Sequence, residues 1–177
     1  GLLTTAFLSS FPLGRLTTVD HYEHRRSVSR RLGADESLPT DAALAERVDG
    51  AHADGADLSF EVSGNPSALD DAIQATGYAG RIIVASWYGT KPVELDLGGR
   101  FHRSHLRIQS SQVSRIDPDH AGRWDKDRRL ALVHDLLCDI DPDALITDEF
   151  PIERAGEAYA ELDSSPETTL GVVLTYE

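Results

Sequence analysis

A carboxylate that directly follows a short apolar run is the residue of this chain with the clearest potential chemistry. Asp20 ends the β-branched stretch 16–20, and a helical pattern lies on either side of it. In a βαβ unit, a carboxylate in this place accepts two hydrogen bonds from a ribose diol, and the N–H groups at a helix N-terminus bind phosphate. The order helix, strand, acid, helix therefore predicts the middle of a nucleotide-binding unit.

Gly1 supports the same interpretation through its distance from Asp20. In a dinucleotide-binding unit, about 20 residues separate the glycine turn from the acid. Gly1 and Asp20 have that separation. Gly1 takes the place of the third glycine in the pattern G-x-G-x-x-G. We therefore expect the strand and the two glycines before it to lie outside this sequence, and the 177 residues to be a piece of a larger enzyme.

Histidine and cysteine offer weaker alternatives. His21 and His24 are three residues apart, as are His102 and His105, but neither pair has a third ligand nearby, so we expect no metal site. The single cysteine, Cys138, has core-like spacing in a helical pattern, which predicts packing rather than reactivity. The chain contains no G-x-S-x-G pattern, so hydrolase chemistry is not favoured.

The charge of the chain excludes several classes of partner. It contains 30 acidic and 17 basic residues, a net charge of −13, and only two of the bases, Lys91 and Lys126, are lysines. Such a surface repels phosphate backbones and anionic lipids, so we expect no nucleic acid and no membrane partner. It is typical of halophilic proteins, with an ordinary acidic cytoplasmic protein as the alternative. No apolar run could span a bilayer and no signal peptide is apparent, which predicts a cytoplasmic location.

The elements that must position Asp20 alternate between helix and strand, which predicts an α/β fold with a doubly wound parallel sheet. The run 80–89 is almost continuously apolar, as in a strand covered on both faces. Asn65 and Pro66 begin a helix whose predicted buried face comprises Leu69, Ala72, Ile73 and Thr76. Further helices are predicted at 1–11, 22–32, 41–53, 128–140 and 153–162, and further strands at 16–20, 37–39, 56–64, 105–113, 145–151 and 170–175.

Four motifs in this order resemble a known family. They are Leu16-Thr-Thr-Val-Asp20, Ala56-Asp-Leu-Ser-Phe-Glu-Val-Ser-Gly64, Gly80-Arg-Ile-Ile-Val-Ala-Ser86 and Leu145-Ile-Thr-Asp-Glu-Phe-Pro151. The chain resembles the C-terminal, cofactor-binding half of medium-chain, zinc-type alcohol dehydrogenases, including the zinc-binding or threonine-dehydrogenase-like branch. The resemblance implies a Rossmann domain over residues 1–112 that lacks its first strand. It also implies that residues 113–177 return to an absent GroES-like catalytic domain.

The resemblance assigns cofactor contacts to particular residues. Gly1 and Leu2 would lie at the pyrophosphate, Asp20 at the adenosine ribose and Arg25 near the adenine. The residues on the nicotinamide side would be Val62, Ser63 and Gly64 at the ribose, Ala85 and Ser86 beside them, and Ser110, Ser111 and Gln112 at the carboxamide. Trp87 and Tyr88 follow this group, and either a substrate cleft or strand-end packing would explain them.

Two departures from the family limit what this chain is expected to do. The family's catalytic zinc is held by residues of the N-terminal half, so zinc would enter only through the missing half. Many members carry a basic residue just before the last strand, where this chain has Gly171. We therefore expect no catalytic residue and no metal ligand within the 177 residues, and no activity of this chain by itself.

The expected function is hydride transfer between a nicotinamide cofactor and a small alcohol, polyol or carbonyl substrate, by a homo-oligomer when full length. Asp20 predicts NAD over NADP, because a 2′-phosphate would place like charges together. Arg25 and Arg26 could offset that repulsion, which leaves a dual-specific site open. Two alternatives remain: a non-catalytic nucleotide-binding remnant, and a methyltransferase, which also uses a ribose-binding acid.

Overall fold

The computed structural model describes residues 1–40, 44, 46, 48 and 54–176. The fold is mixed α/β, and its elements follow the predicted order with ends that differ by a few residues. The α-helices are α1 (Leu2–Ser9), α2 (Glu23–Arg31), α3 (Pro66–Ala75), α4 (Lys126–Asp139) and α5 (Ala155–Ser164). The strands are β1 (Thr17–Val19), β2 (Glu36–Leu38), β3 (Ala56–Glu61), β4 (Thr76–Val84), β5 (Arg107–Ser110), β6 (Ile146–Pro151) and β7 (Gly171–Thr175).

The helix predicted at 41–53 falls mostly outside the described residues. Positions 44, 46 and 48 are helical, and Leu44 and Val48 are buried. Short turns of other helix types occur at Leu97–Phe101, Pro142–Leu145 and Ile152–Arg154.

The described strands pair in parallel, as predicted. They form three hydrogen-bonded sheets with the orders β1-β2, β3-β4-β5 and β6-β7. The chain divides into two compact units. The first unit comprises Gly1 and Asp41–Arg129 and contains β3, β4 and β5, whereas the second comprises Leu2–Thr40 and Leu130–Glu177 and contains the other four strands.

The core of the first unit forms where α3 packs on its sheet. Helix α3 begins as predicted, because the Asn65 side chain accepts a hydrogen bond from the Ser67 N–H at 3.2 Å and Pro66 occupies the first turn. The predicted face is confirmed at Leu69 and Ile73, which are buried, whereas Thr76, predicted on the same helix, is the first residue of β4. The core cluster comprises Leu69, Ile73, Ile82 and Leu106.

The second unit joins β1, α2 and β2 through hydroxyl groups. Thr18 Oγ1 lies 2.7 Å from Ser29 Oγ and 2.8 Å from Ser37 Oγ. Ser29 and Ser37 are both buried, so these hydrogen bonds satisfy groups that water does not reach. Helix α2 ends at Arg31, and Gly33, two residues later, has a φ of 103°, the left-handed conformation that glycine adopts without strain.

Helix α4 corrects one prediction. The helical spacing predicts that Leu130, Val133, Leu136 and Leu137 point inward, yet α4 has no buried residue and Leu130 is 50% exposed. Cys138, expected to pack, is also exposed. A helical period shows which face of a helix is apolar, but tertiary structure decides whether another element covers that face.

Candidate dinucleotide-binding site

The first unit brings the predicted nicotinamide-side residues together at one edge of its sheet. Because β3, β4 and β5 are parallel, their carboxyl ends share this edge. The backbone fixes the alignment: Ala85 N–H donates to Glu61 O at 2.9 Å, and Ser111 N–H donates to Val84 O at 2.8 Å. The residues at this edge are Val62, Ser63, Gly64, Ala85, Ser86, Ser110, Ser111 and Gln112.

Gly1 reaches the same edge of the sheet. A Cβ atom placed on Gly1 would lie 3.7 Å from Val62 Cγ2, in ordinary van der Waals contact. The chain start and the end of β3 therefore approach closely in the first unit, as the nucleotide-binding interpretation requires of a glycine beside the cofactor.

A buried carboxylate lies behind this edge. Glu61, the last residue of β3, is 3% exposed. Its Oε1 accepts from Ser63 N–H and Ser63 Oγ, both at 2.6 Å, and its Oε2 accepts from Tyr88 Oη at 2.5 Å and from Ser86 Oγ. Burial alone would raise the pKa of Glu61, but the hydrogen bonds from Ser63, Ser86 and Tyr88 outweigh it and lower the pKa.

Tyr88 connects this carboxylate to the core. Its ring packs against the core cluster of the first unit while its hydroxyl donates to Glu61. Burial and the hydrogen bond to the charged Glu61 raise the pKa of Tyr88 to about 12. Tyr88 therefore stays a hydrogen-bond donor throughout the neutral range.

Asp20 lies in the second unit, one residue past the end of β1. Its Oδ1 accepts from the Tyr22 N–H at 2.9 Å, and its own N–H donates to Leu38 O at 3.1 Å. The tip of β1 is thus fixed to β2 by the backbone. In the described part of the chain this is the one hydrogen bond that the Asp20 carboxylate accepts, so it retains capacity for a ligand.

The neighbouring arginines are engaged within the second unit. The Arg25 guanidinium lies 5.1 Å from the centre of the Tyr22 ring, and its Nη2 donates to Thr169 O at 3.3 Å. Arg26 donates to the carbonyl oxygens of Asp20 and His21 through Nη1, at 2.8 and 2.7 Å, and forms a salt bridge with Glu23 at 2.6 Å.

Sequence reasoning missed Glu61 and assigned no contact to Tyr88. A carboxylate near the end of the predicted strand 56–64 was the available signal, because such a residue needs hydrogen-bond partners if that end of the strand is buried. The partners could not be found by spacing, since Ser86 and Tyr88 are 25 and 27 residues further along the chain.

The residues present fit a dinucleotide better than a metal ion. Ser63, Ala85 and Ser110–Gln112 are exposed at the sheet edge, where their backbone groups can meet a ligand. Across 1–40, 54–176 and the three described positions between them, no group of three or more His, Cys, Asp or Glu side chains could hold a metal ion. Nor does any helix of that part combine the length and apolar character needed to cross a membrane.

The sequence profile of the zinc-binding dehydrogenase family matches residues 1–126. The chain belongs to this family. One relative, the 2-dehydro-3-deoxy-L-galactonate 5-dehydrogenase of Pseudoalteromonas atlantica, is 30% identical over 82% of this chain and 40% of its own length. This membership sets the methyltransferase alternative aside.

Solved structures of dehydrogenases share the fold. The 2R,3R-butanediol dehydrogenase of Bacillus subtilis matches with a TM-score of 0.77 at 20% identity, over 99% of this chain and 48% of its own. An alcohol dehydrogenase from Escherichia coli CFT073, in complex with NADH, also has a TM-score of 0.77, at 19% identity over 98% of this chain and 48% of its own. The zinc-binding dehydrogenase chain described here thus spans about half the length of the relatives that it matches.

Proposed function

We propose that this chain forms the cofactor-binding part of an NAD-dependent alcohol or polyol dehydrogenase of the zinc-binding family. The observation that supports this most directly is the sheet edge of the first unit, where eight residues assigned to the nicotinamide side lie together with Gly1. Residues 1–112 would form the cofactor domain and residues 113–177 would return to the catalytic part.

In this proposal the chain binds and orients the cofactor, whereas substrate chemistry belongs to the whole enzyme. Bound NAD would accept or deliver the hydride at its nicotinamide ring. The loops after β3 and β4 would contact the nicotinamide ribose, and backbone groups of Ser110, Ser111 and Gln112 would bind the carboxamide. Gly1 and Leu2 would lie at the pyrophosphate, where a helix N-terminus offers N–H groups.

The contacts of Asp20 and Arg26 favour NAD over NADP. A free carboxylate oxygen can accept from a 2′-hydroxyl, whereas a 2′-phosphate needs cationic donors. Arg26 already donates to two carbonyl oxygens and to Glu23, so it would have to leave these partners to neutralise a phosphate. Arg25, which could play the same part, donates to Thr169 O.

Titration of NADH and NADPH into the chain and into Asp20→Ser tests the proposal. We expect the wild type to prefer NADH, and the variant to lose about ten- to a hundredfold in NADH affinity, the usual value of a charge-assisted hydrogen bond. Glu36→Gln removes a partly exposed carboxylate from the adjacent strand, where it pairs with Arg15, and should leave the preference unchanged. Equal affinity of the wild type for both cofactors, or an unaltered preference in Asp20→Ser, would contradict the assignment.

A further inference from the structure

Glu61 contacts both loops that the proposed function assigns to the nicotinamide half of NAD, yet it has no part in the binding scheme. The residue is 3% exposed. Moving an ionised carboxylate out of water is unfavourable unless hydrogen bonds replace the lost solvent. The described residues place four such donors around it, which indicates a built site rather than an accidental burial.

The four donors come from two different loops. Ser63, in the loop after β3, donates its N–H and its hydroxyl to Oε1, both at 2.6 Å. Ser86 and Tyr88, in the loop after β4, donate their hydroxyls to Oε2. A single side chain therefore joins the two loops, and all four donors are neutral, so their geometry and not an opposite charge stabilises the carboxylate.

This arrangement is unsuited to proton transfer. Each carboxylate oxygen already accepts two hydrogen bonds, and little of the side chain reaches solvent. The donors also lower the pKa of Glu61, which keeps it ionised at neutral pH. Glu61 is therefore neither a general acid nor a general base.

Other contacts also join the two loops. A Cβ atom placed on Gly64 would lie 3.3 Å from the carbonyl oxygen of Trp87, and Gly64 has a φ of 68°. Lys91 Nζ donates to Gly64 O at 2.9 Å. The ring of Tyr88 packs against the core, so the loop after β4 is held at one end by packing and at the other by Glu61.

We propose that Glu61 is a positioning residue for the cofactor: it fixes the loops after β3 and β4 in the conformation that receives the nicotinamide ribose. This inference rests on the proposed function, because the geometry of these loops affects binding only if NAD contacts them. ADP lacks the nicotinamide and its ribose. Substitution of Glu61 should therefore weaken the binding of NADH and leave the binding of ADP unchanged.

The test measures the affinities of NADH and ADP for the 177-residue chain by calorimetry. We expect Glu61→Ala to weaken NADH binding about tenfold or more, and Tyr88→Phe, which removes one hydrogen bond, by about two- to tenfold. ADP affinity should change less than about twofold in both variants, within the error of such comparisons. Glu61→Gln should recover most of the NADH affinity, because its amide oxygen still accepts from Ser63 and hydroxyls can accept from its NH₂ group.

Ile73→Val provides a matched control. It removes one buried methylene from the core cluster, with a cost to stability of the same order as Tyr88→Phe, but it removes no hydrogen bond from either loop. Both affinities should therefore stay at the wild-type value in Ile73→Val. If Glu61→Ala does not fold, Tyr88→Phe and its control make the same comparison.

Two results would overturn the inference without touching the proposed function: NADH and ADP affinities that fall in parallel, or NADH affinity unaltered in Glu61→Ala and Tyr88→Phe. A wild-type chain that binds neither ligand would overturn the proposed function, and the inference with it. Asp20→Ser distinguishes effects at the adenosine end of the cofactor from effects at the nicotinamide end, because it should lower the affinities of NADH and ADP alike.

Discussion

Two carboxylates end parallel strands in this protein, and their surroundings are opposite. Glu61 ends β3 in the first unit, is 3% exposed and accepts four hydrogen bonds. Asp20 follows β1 in the second unit, is partly exposed and accepts one, from Tyr22 N–H, among the described residues. The position along the strand is similar, but the number of protein donors differs fourfold.

This difference separates a structural carboxylate from one available to a ligand. An acceptor whose lone pairs are occupied by protein donors stabilises the fold and cannot gain from a ligand. An acceptor with free lone pairs at a sheet edge contributes less to folding and can bind a hydroxyl. Strand-end acids should therefore be interpreted through their donors rather than through their place in a motif.

The largest expected difference between the two carboxylates is in stability. Glu61→Ala leaves four donors without their acceptor and should reduce the free energy of unfolding by about 3 kcal/mol or more, whereas Asp20→Ala removes one hydrogen bond and should cost about 1 kcal/mol. Urea unfolding of both variants measures this. Similar losses would show that donor count does not distinguish the two sites.

A second, smaller difference concerns pH. In the folded protein the pKa of Glu61 is lowered from its usual 4.5. The ionised carboxylate therefore contributes fully to the free energy of unfolding above pH 4.5, and this contribution is lost as the pH falls through the folded pKa. The stability difference between wild type and Glu61→Gln should thus stay constant above pH 4.5 and shrink below it. Unfolding curves collected between neutral and acid pH would reveal this, and a difference that does not vary with pH would contradict it.

Glu157 provides the control for that experiment. Its pKa is also lowered, by a hydrogen bond from Arg154 at the protein surface. Salt screens an exposed pair of opposite charges, whereas the buried Glu61 is held by neutral donors. In about 1 M salt, the stability difference between wild type and Glu157→Gln should therefore no longer depend on pH. The difference between wild type and Glu61→Gln should still shrink at acid pH.

The order of elements and the parallel pairing could be predicted because they depend on local patterns. Asn65-Pro66 specifies a helix start and Leu69 with Ile73 specifies its buried face, and the structure confirms both. The prediction that Leu130 points inward was wrong, because helical spacing indicates which face of a helix is apolar but not whether another element covers that face. Glu61 was missed because its partners become neighbours only through the register that sets Glu61 opposite Val84.

The smallest expected contrast is in salt dependence. The net charge of −13 repels itself most strongly at low ionic strength, where the Debye length reaches about 30 Å at 0.01 M. We expect the melting temperature of the wild type to rise from low to about 1 M salt. Glu61→Gln should melt lower but with a parallel rise, because the buried carboxylate is one charge among many. Melting temperatures that are flat or fall with salt would argue against a halophilic protein.

Helix α4 has a consequence for proteolysis. Because it buries no residue, little packing opposes its local opening, which requires no unfolding of the sheets. Lys126, Arg128 and Arg129 lie in its first turn, so trypsin meets three cleavage sites at the start of a helix that has no buried residue. Brief digestion should therefore cut the native chain here before it cuts after Arg81, whose backbone is paired on both sides within the sheet.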